Sequence, residues 1–541
     1  MDLLYELVRE KSVLIIDVYD ILLVQLYRNQ DDLFRTLELD CKICGFYEAR
    51  KNAQQYLAEH SDRCGDADDL LNVVYGMMPR NYQSVKEKEV RLNILSTKVN
   101  SDAKKLYEYV VAENIPIYLC DQCGILGIHT EEVLKTYGYT GYKKLFTPSG
   151  QNGLEEMYFE IMRDTSVEAC KILHIKSNAD FTAANGVGVS AFEYEPLFRK
   201  HGQNMNSAYF AALNKHKEDS AIPVLQSGIA LYGASDDGSD DWKSFGYKYI
   251  GILAFEYAKY IGNIISGLGI KKVFFSSANG YCLKSAFESI FPQIEAEILF
   301  SPKRSLILSV ARSDRELVTV LLGYIGAETT FHSWISLLCP SQSGPLYEDF
   351  IVRFPDQNRI IFSEYDFEQL RNFIIDHKQL LLDEAARERN VLNSYMKSVG
   401  VFEAPSAVVD ISSDMELLHG LASICCDLPL TQDLTAFYWE YTPNVKWKFS
   451  LINQLKKEAD LGKKTIKTRS YLERILSLVL SEPNEIVVAL KKEDNGTILP
   501  EHICQNQEIQ GSRIALSRQV IMGAVACVND LCEVDKEFPF A

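Results

Sequence analysis

The chain has 541 residues, 47% hydrophobic and 24% charged, with a net charge of −18; this is ordinary globular composition, and too much chain for one core, so about two to four domains are expected. The acidic balance excludes a general nucleic-acid or anionic-membrane surface, which needs clustered Lys and Arg, and leaves room only for a local basic pocket. No uninterrupted apolar stretch reaches transmembrane length, the nearest (250–265) being broken by Glu256 and Lys259, and the acidic, amphipathic start MDLLYELVREK is unlike a signal peptide, so a cytoplasmic protein without a transmembrane segment is expected.

The first strand is VLIID, residues 13–17, in VLIIDVYDILLV. An aspartate at the carboxyl end of a buried strand has the placement of a catalytic nucleophile. A helical region follows from about Asp31, and it contains CKICGFYEARKNAQQYLAEHSDRC. Its Cys41, Cys44, His60 and Cys64 have a spacing superficially suited to tetrahedral zinc. The intervening Phe46–His60 stretch has helical composition and would span about 22 Å, holding the two halves apart, so ordinary thiols in a reducing compartment are the better reading. Cys120 and Cys123 have no partner pair nearby.

IPIYLC (115–120), a short KKLFTP and CKILHI (170–175) read as further strands, with an amphipathic helix from Leu154 to Arg163 and a helix in DFTAANGV. Apolar strands alternating with helices predict a parallel sheet covered on both faces, with ligands beyond the carboxyl ends of its strands. Asp17, Asp121 and Ser177 all fall there. GASDDGSDD (233–241) reads as a loop or domain junction. A helix over Tyr247–Leu268, the strand KKVFFSS, the loop ANG and the helix CLKSAFESIF repeat the first pattern in kind. Helix from Tyr365 to Val399, the strand SAVVDI (406–411) and the helix MELLHGLASI follow. The expected organisation is an α/β domain over 1–200 with a helical insertion at about 31–110, a linker over 201–240, a second α/β domain with helices over 241–400, and 401–541 as its continuation or a C-terminal α/β region.

DVYDILL at Asp17 resembles the opening motif of the haloacid dehalogenase-like (HAD) hydrolase superfamily, Asp-x-Asp-x-Thr. More closely, the chain resembles long bacterial predicted hydrolases of that superfamily, typically encoded among surface-polysaccharide and glycosyltransferase genes. The resemblance implies a HAD-like (Rossmannoid) sheet with a helical cap insertion. It makes Asp17 the candidate nucleophile, with Asp20 beside it, Tyr19 at the acid/base position and Ile21 at the threonine position. FYEARKNAQQYLAEH resembles the family's Phe-x-x-x-Arg-x-x-Ala-Glu helix, with Gln54 at the Glu position. CDQCG puts Cys120 at a hydroxyl position and keeps Asp121. NGLEEMY places Asn152 at the lysine position, where Lys143 or Lys144 could substitute spatially. HIKSNAD offers Lys176, Ser177 and Asn178 in place of the magnesium-binding stretch, with Asp180 beyond. In the second half Gly246, Tyr247, Gly251, Gly280 and Tyr281 fit, Ala278 and Asn279 replace a charged pair, Arg304 survives, and Asp410 remains before Ser412.

The implied chemistry is weakened at each step. Magnesium in such a site is held by Asp17 and, at most, Asp180, and an ammonium from Lys176 beside them disfavours it or replaces it by pairing with Asp17. Loss of acid, hydroxyl and lysine removes contributions of about 2–4 kcal/mol each to transition-state stabilisation. The resemblance therefore implies no cofactor, or weakly held Mg²⁺ if catalysis is retained. The leading expectation is a degenerate HAD-like protein acting as an interaction or regulatory partner of a glycosyltransferase or another glycan-building protein. The alternatives are a phosphohydrolase or phosphotransferase acting on sugar phosphates or nucleotide sugars through Asp17, and a phosphate-binding module without turnover. Each polar position also has a plainer reading: Asp17, Asp121 and Asp180 as caps, Tyr19 as packing, His174 as a satisfied core histidine, and Lys303 and Arg304 as a solvated basic turn.

Overall fold

The computed structural model describes residues 2–27, 30–60, 67–121, 130–148, 150–195, 242–326, 328–403, 405–411, 416–425, 434–438, 479–502 and 507–537. The linker at 201–240, the loop at 233–241, Cys64, Cys123 and Ser412 lie outside them. The chain divides into two compact units, Met1–Ile252 with Asn529–Ala541, and Leu253–Val528.

The first unit runs α1 (Asp2–Arg9), β1 (Val13–Asp17), β2 (Leu23–Gln25), α2 (Gln30–Cys41), α3 (Phe46–His60), α4 (Ala67–Met77), α5 (Lys86–Leu95), β3 (Thr97–Val99), α6 (Ser101–Ala112), β4 (Ile117–Cys120), α7 (Thr130–Thr136), β5 (Lys144–Phe146), α8 (Gly150–Thr165), β6 (Ile172–Lys176), α9 (Thr182–Val187) and β7 (Ser190–Glu193). Five strands form one parallel sheet in the order β5-β4-β1-β6-β7. β1, β4 and β6 read as continuous apolar runs because both faces are covered, and every residue in these three strands is buried. Alternation then separates the faces. Leu14, Ile16, Ile117, Leu119, Leu173 and Ile175 pack with α1, α6 and α7 in one core. Val13, Ile15, Tyr118, Cys120 and Ile172 pack with α8 and α9 in the other. Helix α6 contributes Ala103, Leu106, Tyr107 and Val110 to the first of these cores, and Ile94 of α5 packs against it, so α6, which lies within the expected insertion, covers the sheet.

The helix expected over Phe46–His60 is present with those bounds. Cys41 ends α2 and is half-buried, whereas Cys44 is exposed. Between them α3 and α5 share a buried ion pair: Arg50 and Glu89 approach to 2.8 Å with side chains 0% and 5% exposed.

The second unit holds a four-stranded parallel sheet of β8 (Lys272–Ser276), β9 (Glu295–Leu299), β10 (Ser406–Asp410) and β11 (Leu434–Tyr438), ordered β11-β10-β8-β9. A hairpin of β12 (Val487–Lys492) and β13 (Ile498–His502) follows, closed by Gly496 at φ +86°, a left-handed position that suits glycine. Between β9 and β10 the helices Asp314–Gly323, Phe331–Leu338, Pro345–Arg353 and Glu364–Asp376 enclose a core of their own around Trp334, Phe350 and Phe373. The helical stretch expected from Tyr365 to Val399 is two helices, Glu364–Asp376 and Lys378–Ser398.

Gly280, at the start of the helix Tyr281–Ile290, is a close-approach glycine. A Cβ there would lie 2.6 Å from the Ser276 carbonyl oxygen and 2.9 Å from the Ser276 nitrogen. Because the obstacle is backbone, Gly280→Ala is expected to lower stability by about 1–3 kcal/mol, read as a drop in the urea midpoint of the second unit; an unchanged midpoint would show that the turn relaxes freely.

Among the described residues Gln510–Lys536 is a helix long and apolar enough, by length and composition, to cross a membrane. Searching for uninterrupted apolar runs misses it, because Arg518 and Asp530 bracket a stretch with no charged side chain. Val520, Ala524, Cys527, Val528 and Leu531 of this helix are buried at a helical spacing, the pattern of a helix packed along one face.

Candidate functional site

In the first sheet the strand order turns back at β1, so the crevice between the carboxyl ends of β1 and β6 is the topological switch point. Asp17 ends β1 there, 3% exposed. Its Oδ1 lies 3.0 Å from His174 Nε2, and its Oδ2 accepts from the Ser177 amide at 3.0 Å and the Ser177 hydroxyl at 3.3 Å. Both carboxylate oxygens are thus held from within the fold. His174 is fully buried, and its Nδ1 shares a 2.7 Å hydrogen bond with the hydroxyl of Tyr158 on α8. Burial alone would raise the Asp17 pKa. His174, the Ser177 amide and, more weakly, the positive charge of Lys176 outweigh it and hold the carboxyl below its usual value.

The close partner of Asp17 is therefore His174, where a salt bridge to Lys176 was one of the two arrangements expected. Lys176 is 2% exposed and acts on Asp17 through its charge. The signal for His174 was present in the alternation of β6, since residues 172, 174 and 176 share the face to which β1 delivers residues 13, 15 and 17. His174 is a satisfied core histidine, as its strand position implied, and it is also what occupies the aspartate.

The other positions of this region divide into neighbours and bystanders. Cys120 is fully buried and stands directly across from Asp17 in the β1–β4 register. Asp121 accepts a 2.9 Å hydrogen bond from Thr130, the first residue of α7, and Thr130 in turn meets the Tyr19 hydroxyl at 3.1 Å. This buried chain fixes Asp121 and packs Tyr19. Asp20 is exposed and sits at φ +67°, its amide bonded to the Leu23 carbonyl, so it serves the turn into β2. Asn178 accepts from the amide of Asp180, and Asp180 accepts from the amide and hydroxyl of Thr182 at 3.1 and 2.7 Å, organising the start of α9. Those Thr182 bonds hold the exposed Asp180 carboxyl below its usual pKa. Asn152 is exposed in the first turn of α8, Lys143 is exposed, and Lys144 pairs with Glu160 on that helix.

Magnesium prefers about six oxygen ligands in near-octahedral geometry. Around Asp17 stand an imidazole nitrogen, a backbone N–H and a thiol, while Asp121 and Asp180 are engaged by Thr130 and Thr182. The donor set does not fit magnesium.

The second unit brings Asn279 and Asp410 to the carboxyl ends of adjacent strands β8 and β10, 8% and 4% exposed, and Asn279 Oδ1 accepts from the Ile411 amide at 3.4 Å. Ser276 and Ser301 hydroxyls meet at 3.2 Å beside them. Arg304 is neither a solvated turn residue nor open to an anion: Glu384 and Glu388 bind its guanidinium, which also donates to the Leu338 carbonyl. Its partners lie on a helix about eighty residues further along the chain.

No protein-family model matches the chain, and no curated protein matches it. Among solved structures it is similar to a HAD-family enzyme from Bacteroides thetaiotaomicron, at 12% identity and a TM-score of 0.27, over 34% of this chain and 94% of that one. An aspartate-to-alanine mutant of that enzyme in complex with magnesium and inorganic phosphate matches at 11% identity and a TM-score of 0.25, over 34% and 95% of the two chains. The wild-type complex with magnesium and phosphate matches at 13% and 0.24, over the same shares. TM-scores this low carry no argument about family or chemistry; the α/β class rests on strand order and register.

Proposed function

We propose that this chain is a catalytically degenerate HAD-like protein, cytoplasmic, that serves as an interaction or regulatory partner of a glycosyltransferase or another protein of bacterial surface-glycan biosynthesis. One observation carries the loss of catalysis: the Asp17 carboxylate is buried with both oxygens engaged by His174 and Ser177. A nucleophile needs a free oxygen facing its substrate. The side chains that would assist phosphoryl transfer are replaced or engaged elsewhere, as described for Cys120, Asn152, Lys144 and Asp180. The glycan setting rests on the motif resemblance alone, which is an analogy of family and not a reading of the site.

The test compares the protein with Asp17→Asn for magnesium-dependent turnover of an aryl phosphate. The expected result is no turnover by either form. Turnover that Asp17→Asn abolishes would overturn this reading and favour a phosphohydrolase or phosphotransferase on sugar phosphates or nucleotide sugars. Affinity capture that returns a glycosyltransferase supports the partner role, and saturable binding of inorganic phosphate without turnover points instead to a ligand-binding module.

A further inference from the structure

We propose that Asp17, Cys120 and His174 form a binding site for one zinc-like divalent cation. Three adjacent parallel strands, β4, β1 and β6, each bring one donor to this place. The carboxylate oxygen, thiol sulfur and imidazole nitrogen all lie within 4.8 Å of one another. Ligand bonds of about 2.0–2.3 Å to tetrahedral zinc put neighbouring ligand atoms roughly 3.5 Å apart, so modest closure forms the shell. The donors identify the class of cation. Thiolate and imidazole beside one carboxylate suit zinc or cobalt, whereas magnesium and calcium want oxygen throughout.

Two further features favour a metal here. The Tyr158 hydroxyl bonds the other ring nitrogen of His174, the outer contact that orients a metal-bound imidazole. The three donors are at most 3% exposed, and a thiolate with a carboxylate offsets the two charges of the cation, which lowers the cost of burying it although the buried Lys176 charge beside Asp17 opposes it. On binding, the Cys120 thiol releases its proton to water. Nε2 must be free of its proton to bind, so the Nε2–Asp17 hydrogen bond gives way to two metal bonds while Tyr158 holds the Nδ1 side of the ring. This spacing is unlike the Cys41–Cys64 pattern, because the three ligands are separated in sequence and meet only through strand register.

The full chain, stripped with a chelator, is titrated with Co²⁺. The expected result is a thiolate-to-cobalt absorption band saturating at one equivalent and bleached by Zn²⁺. Cys120→Ser should abolish the band, His174→Gln should weaken binding about tenfold or more, and Cys41→Ser with Cys44→Ser should leave it intact. Absence of a band, or a band that survives Cys120→Ser, overturns the proposal. Should Cys120→Ser fail to fold, X-ray absorption of the cobalt-loaded wild type decides: one sulfur per cobalt supports the site, and none or several overturns it. The outcome is separate from the aryl-phosphate assay, since cation binding is read without turnover.

Discussion

Asp17→Ala is expected to destabilise the first unit by about 2–5 kcal/mol, because each buried donor left without its acceptor costs about 1–3 kcal/mol. The variant leaves His174 Nε2 and the Ser177 amide without their acceptor. Asp17→Asn keeps shape and one acceptor, and should cost less. Native-state hydrogen exchange of the β1 and β6 amides reads this within the unit, which matters because a two-unit chain need not unfold in one step. The effect also has a pH signature. The Asp17 pKa is held below its ordinary value in the fold, so its ionised form contributes stability above an unfolded pKa of about 3.9. That contribution fades as pH falls toward the lower folded value. The gap between wild type and Asp17→Asn should accordingly narrow on acidification from pH 5 to about pH 3. A gap that stays constant would mean that Asp17 is held by shape and not by charge.

What the sequence made legible was local. VLIID, IPIYLC, CKILHI, KKVFFSS and SAVVDI announce themselves as strands because strands buried on both faces must be apolar throughout. EAEIL at β9 and SAFE at β7 lack that signature because they lie on sheet edges and are only partly buried. The aromatic helical core around Trp334 was not separated from its surroundings, since helical periodicity says which face is apolar and not which helices meet. The site shows the same limit. Asp17 could be found from one strand end, whereas its partner His174 lies 157 residues away and is fixed by register alone. Arg304 reads as a solvated basic turn until the helix Lys378–Ser398 closes over it with Glu384 and Glu388. Charged residues carry no mark of their burial; the fold supplies their partners, and only then do they read as structural.

The second large effect is expected in the helices α2–α5. Arg50 matches the arginine of the resembled helical motif, and the structure gives it a structural task. Its Nε lies 3.0 Å from one oxygen of Glu89 and its Nη2 2.8 Å from the other, while the Tyr75 hydroxyl donates to Glu89 at 2.7 Å. The guanidinium also stands 4.5 Å from the Phe34 ring centre and donates to Gln54, the residue at the motif's glutamate position, at 3.1 Å. One buried cation therefore joins four elements of this helical region. Arg50→Ala should cost about 3–5 kcal/mol, since it leaves the Glu89 carboxylate buried with Tyr75 alone. Arg50→Met with Glu89→Leu should recover most of that loss, because the desolvation of both charges is removed together. The remaining deficit should be about 1–3 kcal/mol from the orphaned Tyr75 hydroxyl, and Tyr75→Phe in the same background should shrink it. Denaturant unfolding of these three variants beside the wild type reads the loss and its recovery. A single Arg50→Ala costing less than about 1 kcal/mol, within the range of solvent-exposed pairs, would show that water reaches the cluster. The full cost, with recovery in the apolar double variant, would place this arginine in the architecture of the helical region.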